Sequence, residues 1–139
     1  MVIRTGGPVA WGGIRERRTV SGSSCESEIY ATNEGTKTAL SLYNLLADLG
    51  SHDCDQPIPV YNNNRGCVDW CKGCTVSRKL RHMNLREMFV REAQRQGFIT
   101  VLHIDGTSNV ADILTKEMKD STHYLQLVEA VTSLRLLAA

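Results

Sequence analysis

Ile58-Pro59-Val60-Tyr61-Asn62-Asn63-Asn64-Arg65 is the stretch on which the fold turns. Ile58 to Tyr61 reads as a short strand, because apolar and aromatic side chains suit a pleated, half-buried surface. Three consecutive asparagines end it, since their side chains hydrogen-bond to nearby backbone and favour turns. A helix then begins near Arg65 and is broken at Gly73. A strand handing over to a helix is the elementary step of an α/β protein. Downstream, Lys79 to Gln96 predicts another helix, with Leu80, Met83, Met88 and Phe89 as its apolar positions and Gly97 as its stop. Phe98 to Ile104 is rich in β-formers and predicts a strand, closed by the Asp105-Gly106 turn. Asn109 to Glu117 and Thr122 to Leu137 predict two further helices, the second carrying Tyr124, Leu125, Leu127, Val128, Val131, Leu134 and Leu137.

Upstream, Met1 to Thr5 resembles the tail of a strand, and Gly6-Gly7-Pro8 marks a turn. Val9 to Trp11 and Arg17 to Val20 flank Gly12-Gly13, as in a strand interrupted by a loop. Ser23-Ser24-Cys25-Glu26 is a helix start, with serine to cap and a carboxylate at the positive end. That helix runs to about Gly50, with Ala39, Leu42, Tyr43, Leu46 and Leu49 at helical spacing.

The chain has 139 residues, 42% of them hydrophobic and 22% charged, which is ordinary globular composition and argues against a disordered chain. No apolar run is long enough to span a bilayer, and the first twenty residues lack the apolar core of a secretory signal. Cys25, Cys54, Cys67, Cys71 and Cys74 are an odd number, so free thiols in a reducing compartment are expected, inside the cell rather than secreted. The net charge of +1 excludes a polybasic protein, but the charge is uneven. Arg65, Lys72, Arg78, Lys79, Arg81, Arg86, Arg91 and Arg95 face only Asp69, Glu87 and Glu92 in the same stretch. Such a stretch is either the solvated face of two helices, with local ion pairs, or a grip on a phosphate backbone.

Three places offer oxygen ligands at the ends of expected elements: Glu28 in the first turns of the long helix, Asn63 after the short strand, and Asp112 in the first turn of the helix after the last strand. Magnesium takes hard oxygen ligands, and two-metal phosphoryl chemistry needs several carboxylates converging on one spot. An acidic residue in a first helical turn is also an ordinary partner of the helix dipole.

Several runs of sequence resemble the ribonuclease H domain of copia-type LTR retrotransposons. They are Gly7 to Trp11, Ser23 to Tyr30, Val60 to Asn64, Arg78 to His82, Arg86 to Glu92, and His103 to Lys116. Asn109-Val110-Ala111-Asp112-Ile113-Leu114-Thr115-Lys116 is the most distinctive of them. The resemblance implies an α/β fold, a ribonuclease H-like mixed sheet flanked by helices, with its first, central strand missing here. It implies a ribonuclease H-like domain over residues 1–120, followed over 121–139 by an amphipathic helix that packs on it or on a neighbouring domain. The implied activity is hydrolysis of the RNA strand of RNA–DNA hybrids during reverse transcription, with Mg²⁺ or Mn²⁺ as cofactor. The implied partners are the hybrid and the reverse transcriptase portion of the same polyprotein, in a cytoplasmic particle or the nucleus. By motif, Glu28 and Asp112 are the metal carboxylates, Glu26 lies on another helix face, and Arg78, Lys79, Arg81 and His82 hold phosphate. His103 near the last motif is a candidate to assist water or product release.

Two departures bear on activity. The family's second aspartate is here Asn63, which offers a neutral oxygen, and its first aspartate lies on the missing strand. Impaired hydrolysis and weak metal binding are therefore expected, with Asp105 or Asp69 as the only substitutes in view. A missing central strand also leaves unpaired sheet edges, which invite self-association. The alternative class is a catalytically dead nucleic-acid-binding or structural module, or a non-functional fragment. Separately, Cys67, Cys71 and Cys74 with His82 suggest a zinc site, against the plainer reading of small apolar helix residues.

Overall fold

Five residues from Ile58 to Asn62 form a strand whose alternate side chains face a shared core, and the rest of its unit is built on that face. The computed structural model describes residues 2–4, 7–10, 24–50, 56–73, 88–114 and 116–132. Its order is β1 (Val2–Arg4), β2 (Gly7–Ala10), α1 (Ser24–Asp48), β3 (Ile58–Asn62), α2 (Arg65–Cys71), α3 (Met88–Arg95), β4 (Ile99–His103), two 3₁₀ turns at Gly106–Ser108 and Val110–Leu114, and α4 (Ser121–Thr132). The chain is mixed α/β, and it divides into two units, Arg15–Ile104 and Met1–Ile14 with Asp105–Ala139.

In the first unit β3 and β4 run parallel, with Ile58 beside Ile99, Val60 beside Val101 and Asn62 beside His103. Parallel neighbours need a crossover, and α2 and α3 lie within it. Ile99 and Val101 are buried against Ile29 of α1, Cys67, Val68, Trp70 and Cys71 of α2, and Val90 and Ala93 of α3. Ile58 and Val60 pack against the same cluster, whereas Pro59 and Tyr61 point out to exposed positions. That alternation is the period-2 signature of a strand with one buried face. The Val101 amide N–H donates to Gln94 Oε1 of α3 at 2.7 Å, so a helix side chain covers the edge of β4 turned away from β3. Among the described residues, the other edge of β3 has no strand beside it.

Gly73 and Gly97 follow α2 and α3 at φ +78° and +77°, a left-handed conformation that costs glycine nothing. The Gly73 N–H reaches the Trp70 carbonyl at 3.0 Å and the Gly97 N–H reaches Gln94 at 3.2 Å, closing each last turn. Trp70 is buried under the Arg91 guanidinium, 5.0 Å from the ring centroid, which gives it a packing role.

The second unit holds the antiparallel β1–β2 hairpin, the 3₁₀ turns and α4. Asp120 caps α4, its Oδ1 accepting from the Thr122 and His123 N–H groups at 2.9 and 3.3 Å. Leu127 and Val131 are the buried face of α4, and Tyr124 and Leu125 are exposed.

The described strands form two two-stranded sheets, β1–β2 antiparallel and β3–β4 parallel. Three expectations need correcting. Asn109 to Glu117 is not an α-helix: Asn109 Oδ1 captures the Ala111 N–H at 3.2 Å, and the segment tightens into a 3₁₀ turn. In α1 the expected position Leu49 is 74% exposed and Leu42, Tyr43 and Leu46 are only half-buried, while Glu26, Ile29, Thr32, Asn33, Thr36 and Ala39 are buried. In α3 the buried positions are Val90 and Ala93, with Met88 and Phe89 at the surface. Residues 79–87 of the expected helix and 133–137 of the last one lie outside the described residues.

Candidate active site

Glu28 sits one turn into α1, half-buried, on a helix whose opposite flank buries Glu26. The end of β3 delivers Asn62 to it. The Asn62 amide donates one N–H to Glu28 Oε2 at 3.2 Å and another to Thr32 Oγ1 at 2.9 Å. Its Oδ1 accepts the Asn64 backbone N–H at 2.7 Å. Asn64 in turn caps α2, its side chain accepting from the Cys67 N–H at 3.1 Å. One buried amide thus joins α1, the end of β3 and the start of α2. Each asparagine of the triplet has a distinct position: Asn62 is buried and bonded, Asn63 is half-buried at the bend, and Asn64 is the helix cap.

Asn62 was not singled out from sequence, where Asn63 carries the motif. Strand alternation was the available signal: Ile58, Val60 and Asn62 share the core-facing side. His103 lies beside Asn62 in the parallel register and is exposed. The surroundings of Glu28 are rich in sulfur. Thr32 Oγ1 lies 3.5 Å from Cys67 Sγ, and the Glu28 charge acts on both Cys25 and Cys67. Burial pushes the Cys25 thiol above its ordinary range. Hydrogen bonding to Cys71 and Thr32 holds Cys67 below it, and Cys71 is correspondingly raised.

In the second unit Asp112 is buried within its 3₁₀ turn. Lys116 Nζ donates to its Oδ2 at 2.6 Å, and Asn109 Nδ2 donates to its Oδ1 at 3.2 Å. Both carboxylate oxygens are engaged by nitrogen donors, and the charge is matched by the lysine. Asp105 Oδ1 accepts from the Thr107 N–H and hydroxyl at 2.9 and 2.7 Å, so this carboxylate is a local turn-former. Asp69 is exposed on α2. His123 Nε2 contacts the Thr107 carbonyl at 2.7 Å.

The residues around the end of β3 do not fit a pair of magnesium ions. Among the described residues of this unit, Glu28 is the one carboxylate hydrogen-bonded to Asn62, and the amide presents N–H groups toward it, where a metal site needs oxygens. Among the described residues, no group of three or more His, Cys, Asp or Glu side chains is arranged to hold a metal ion. Cys67 and Cys71 lie together in the core, as small apolar helix residues do; Cys74 and His82, the rest of the expected zinc set, lie outside the described residues. So do the expected phosphate contacts Arg78, Lys79, Arg81 and His82. Of the remaining basic stretch, Arg65 is exposed at the start of α2, Arg91 stacks on Trp70, and Arg95 pairs with Glu92. No described helix is long and apolar enough to cross a membrane.

The chain is similar to retrovirus-related Pol polyproteins of plant transposons. It is 29% identical over 112 residues to that of transposon TNT 1-94 of Nicotiana tabacum, covering 81% of this chain and 8% of the polyprotein. It is 28% identical over 112 residues to that of transposon RE2 of Arabidopsis thaliana, covering 80% of this chain and 8% of the polyprotein. For transposon RE1 of Arabidopsis thaliana the identity is 24% over 111 residues, covering 80% of this chain and 7% of the polyprotein. The chain therefore spans less than a tenth of the length of these relatives. No protein-family model matches it, and no solved structure does.

Proposed function

We propose that this chain is a retrotransposon-derived domain of the ribonuclease H-like class in which hydrolysis of RNA in RNA–DNA hybrids is impaired. The hydrogen bond from Asn62 to Glu28 carries this reading. Two-metal hydrolysis depends on carboxylates that balance the cations and place a water in line with the scissile phosphate. Here the strand end facing the helix carboxylate supplies amides, Asn62 toward Glu28 and Asn63 at the motif position. The similarity to transposon Pol polyproteins supports the origin, and the carboxylate Asp112, already satisfied by Lys116 and Asn109, supports the impairment. A divalent cation, Mg²⁺ or Mn²⁺, is bound weakly in this reading.

What the residues retain is affinity for a phosphate backbone. The basic excess between Arg65 and Arg95 is the grip, with Arg65 exposed at the start of α2. The partners are an RNA–DNA hybrid and the reverse transcriptase portion of the same polyprotein. The second reading, a binding or structural module without catalysis, is favoured by the same Asn62 amide.

Cleavage of a labelled RNA–DNA hybrid in Mg²⁺ or Mn²⁺ tests the proposal. The chain is compared with Asn63→Asp, and with Asn63→Asp in a version extended upstream by one strand, folding being followed by circular dichroism. No cleavage by the chain and recovery in the extended variant are expected. Cleavage by the unaltered chain, abolished by Asp112→Ala, refutes the impairment. Binding is read separately, as a linear fall of log affinity with log salt. A salt-insensitive or absent signal refutes the basic grip.

A further inference from the structure

We propose that two copies of this chain pair through the open edge of β3, antiparallel about a two-fold axis at Tyr61. The inference does not rest on the nuclease reading. β4 lies along one edge of β3, and among the described residues no strand lies along the other. The groups on that open edge follow from peptide geometry, because a trans peptide points its C=O and its N–H to opposite sides. The Ile58 N–H donates to the Phe98 carbonyl at 3.0 Å, so the Pro57 C=O faces the open edge. The Asn62 C=O accepts from the Ile104 N–H at 3.1 Å, so the Asn63 N–H faces it too. Between them, strand alternation turns the Pro59 C=O and both backbone groups of Tyr61 the same way. Proline removes the donors at 57 and 59. The edge therefore offers the Tyr61 and Asn63 N–H groups and the carbonyls of Pro57, Pro59 and Tyr61.

This set complements itself. With Tyr61 opposite the partner's Tyr61, the two residues exchange both of their backbone bonds. Each Asn63 N–H then meets the Pro59 C=O of the other copy. The donor missing at Pro59 faces the Asn63 C=O, and that carbonyl is turned out of the ladder. The Asn64 N–H points to the Asn62 side chain, on the core face, which sends the Asn63 C=O toward the opposite face. A shift of one residue either way loses the match. An axis at Val60 sets the Tyr61 C=O against a proline nitrogen, and an axis at Asn62 needs the Asn63 C=O as acceptor.

Charge selects a second copy as the occupant. Near a two-fold axis every charge meets its own sign, and open sheet edges are ordinarily guarded by charged side chains, lysine above all. Gln56 to Asn64 carries no charged residue, so nothing on this edge repels its own copy. Tyr61 is 52% exposed on the face turned away from the core. Its ring stands ready to pack on the partner's ring, since facing residues of a hydrogen-bonded antiparallel pair have α-carbons about 5.5 Å apart.

The test is sedimentation of the folded chain over a range of concentrations, with oxidative crosslinking as the positional readout. A dimer that dissociates on dilution is expected. Tyr61→Lys sets two ammonium groups at the axis and weakens the dimer by about tenfold or more, circular dichroism showing that the variant is folded. Tyr61→Cys gives a covalent dimer on mild oxidation, because facing residues of such a pair stand within disulfide reach. Pro59→Cys gives no more covalent dimer than the unaltered chain, since residue 59 stands about 13 Å along the strands from its own copy. A monomer at every concentration overturns the proposal and leaves the edge to a strand of another chain or segment. A dimer indifferent to Tyr61→Lys overturns it equally, as does a Pro59→Cys chain that crosslinks as readily as Tyr61→Cys. If Tyr61→Lys fails to fold, the comparison of the two cysteine variants still decides.

Discussion

Replacing Asn62 with alanine removes one buried amide and three hydrogen bonds at once. These are the donations to Glu28 Oε2 at 3.2 Å and Thr32 Oγ1 at 2.9 Å, and the acceptance from the Asn64 N–H at 2.7 Å. A typical internal hydrogen bond contributes about 1 kcal/mol net, and a buried group left without a partner costs about 1–3 kcal/mol. Two of the three partners recover part of the loss. Glu28 is half-buried and gains water, and the Thr32 hydroxyl keeps its own donation to the Glu28 carbonyl at 2.7 Å. The Asn64 N–H has no such replacement at hand, because the Asn64 side chain is engaged as the α2 cap. The expected cost is about 2–3 kcal/mol. With a urea slope of about 1–3 kcal/mol/M, the midpoint falls by about 0.7–3 M, and Asn63→Ala falls less. Asn62→Asp keeps the acceptor for Asn64 but sets a carboxylate against Glu28. Like charge raises the folded-state pKa of the new group, so its stability is present at low pH and lost as pH rises through that value. Equilibrium unfolding by circular dichroism at pH 4 and pH 7 measures both variants. An Asn62→Ala midpoint equal to that of the unaltered chain, or an Asn62→Asp variant no better at pH 4 than at pH 7, refutes the bridging network.

Further outcomes follow from packing and charge. Ile29→Ala, at a side chain with no exposed surface, costs about 2–5 kcal/mol, whereas Leu49→Ala, 74% exposed, stays within about 0.5 kcal/mol; the two urea midpoints decide which half of α1 is anchored. Asp120→Ala removes the acceptor of two N–H groups at the start of α4 and costs about 1 kcal/mol, read as lost helicity in a thermal melt. The raised Cys71 thiol stabilises the fold fully below the ordinary thiol pKa, and that contribution is lost as pH rises above it. Unfolding free energy therefore falls from about pH 8.5 upward, and falls less steeply in Cys71→Ala; parallel curves refute the assignment. Lys116→Met costs at most about 1 kcal/mol, because the lysine is more than half exposed, and thermal unfolding at low and high salt shows the difference shrinking.

Much of the architecture was legible because its signals are local. β3 and β4 lie within a residue of their expected bounds, since asparagine, aspartate and glycine act on their own backbone and need no distant partner. Gly73 and Gly97 stop helices for the same reason. The 3₁₀ turn around Asp112 was misread because asparagine and aspartate compete with helix hydrogen bonds, and which geometry wins depends on Asn109 finding the Ala111 N–H. In α1 the apolar spacing runs on to Leu49, which is exposed, because periodicity states that a face is apolar without stating what covers it. Of the candidate site, the sequence marked Glu28, Asn63 and Asp112 but not the partners that engage them.

By itself, then, the sequence determined the alternation of strands and helices, the turns between them, the exclusion of a membrane span, and the likeness to a transposon-derived domain. These rest on composition, spacing and backbone preference, which act within a few residues. The tertiary structure alone decided that Asn62, rather than its neighbour, meets Glu28, and that Asp112 is matched by Lys116. It alone brought three cysteines from two helices together beneath the sheet. The physical reason is that hydrogen bonds and charge interactions act over a few ångströms, and only packing determines which residues distant in the chain come that close.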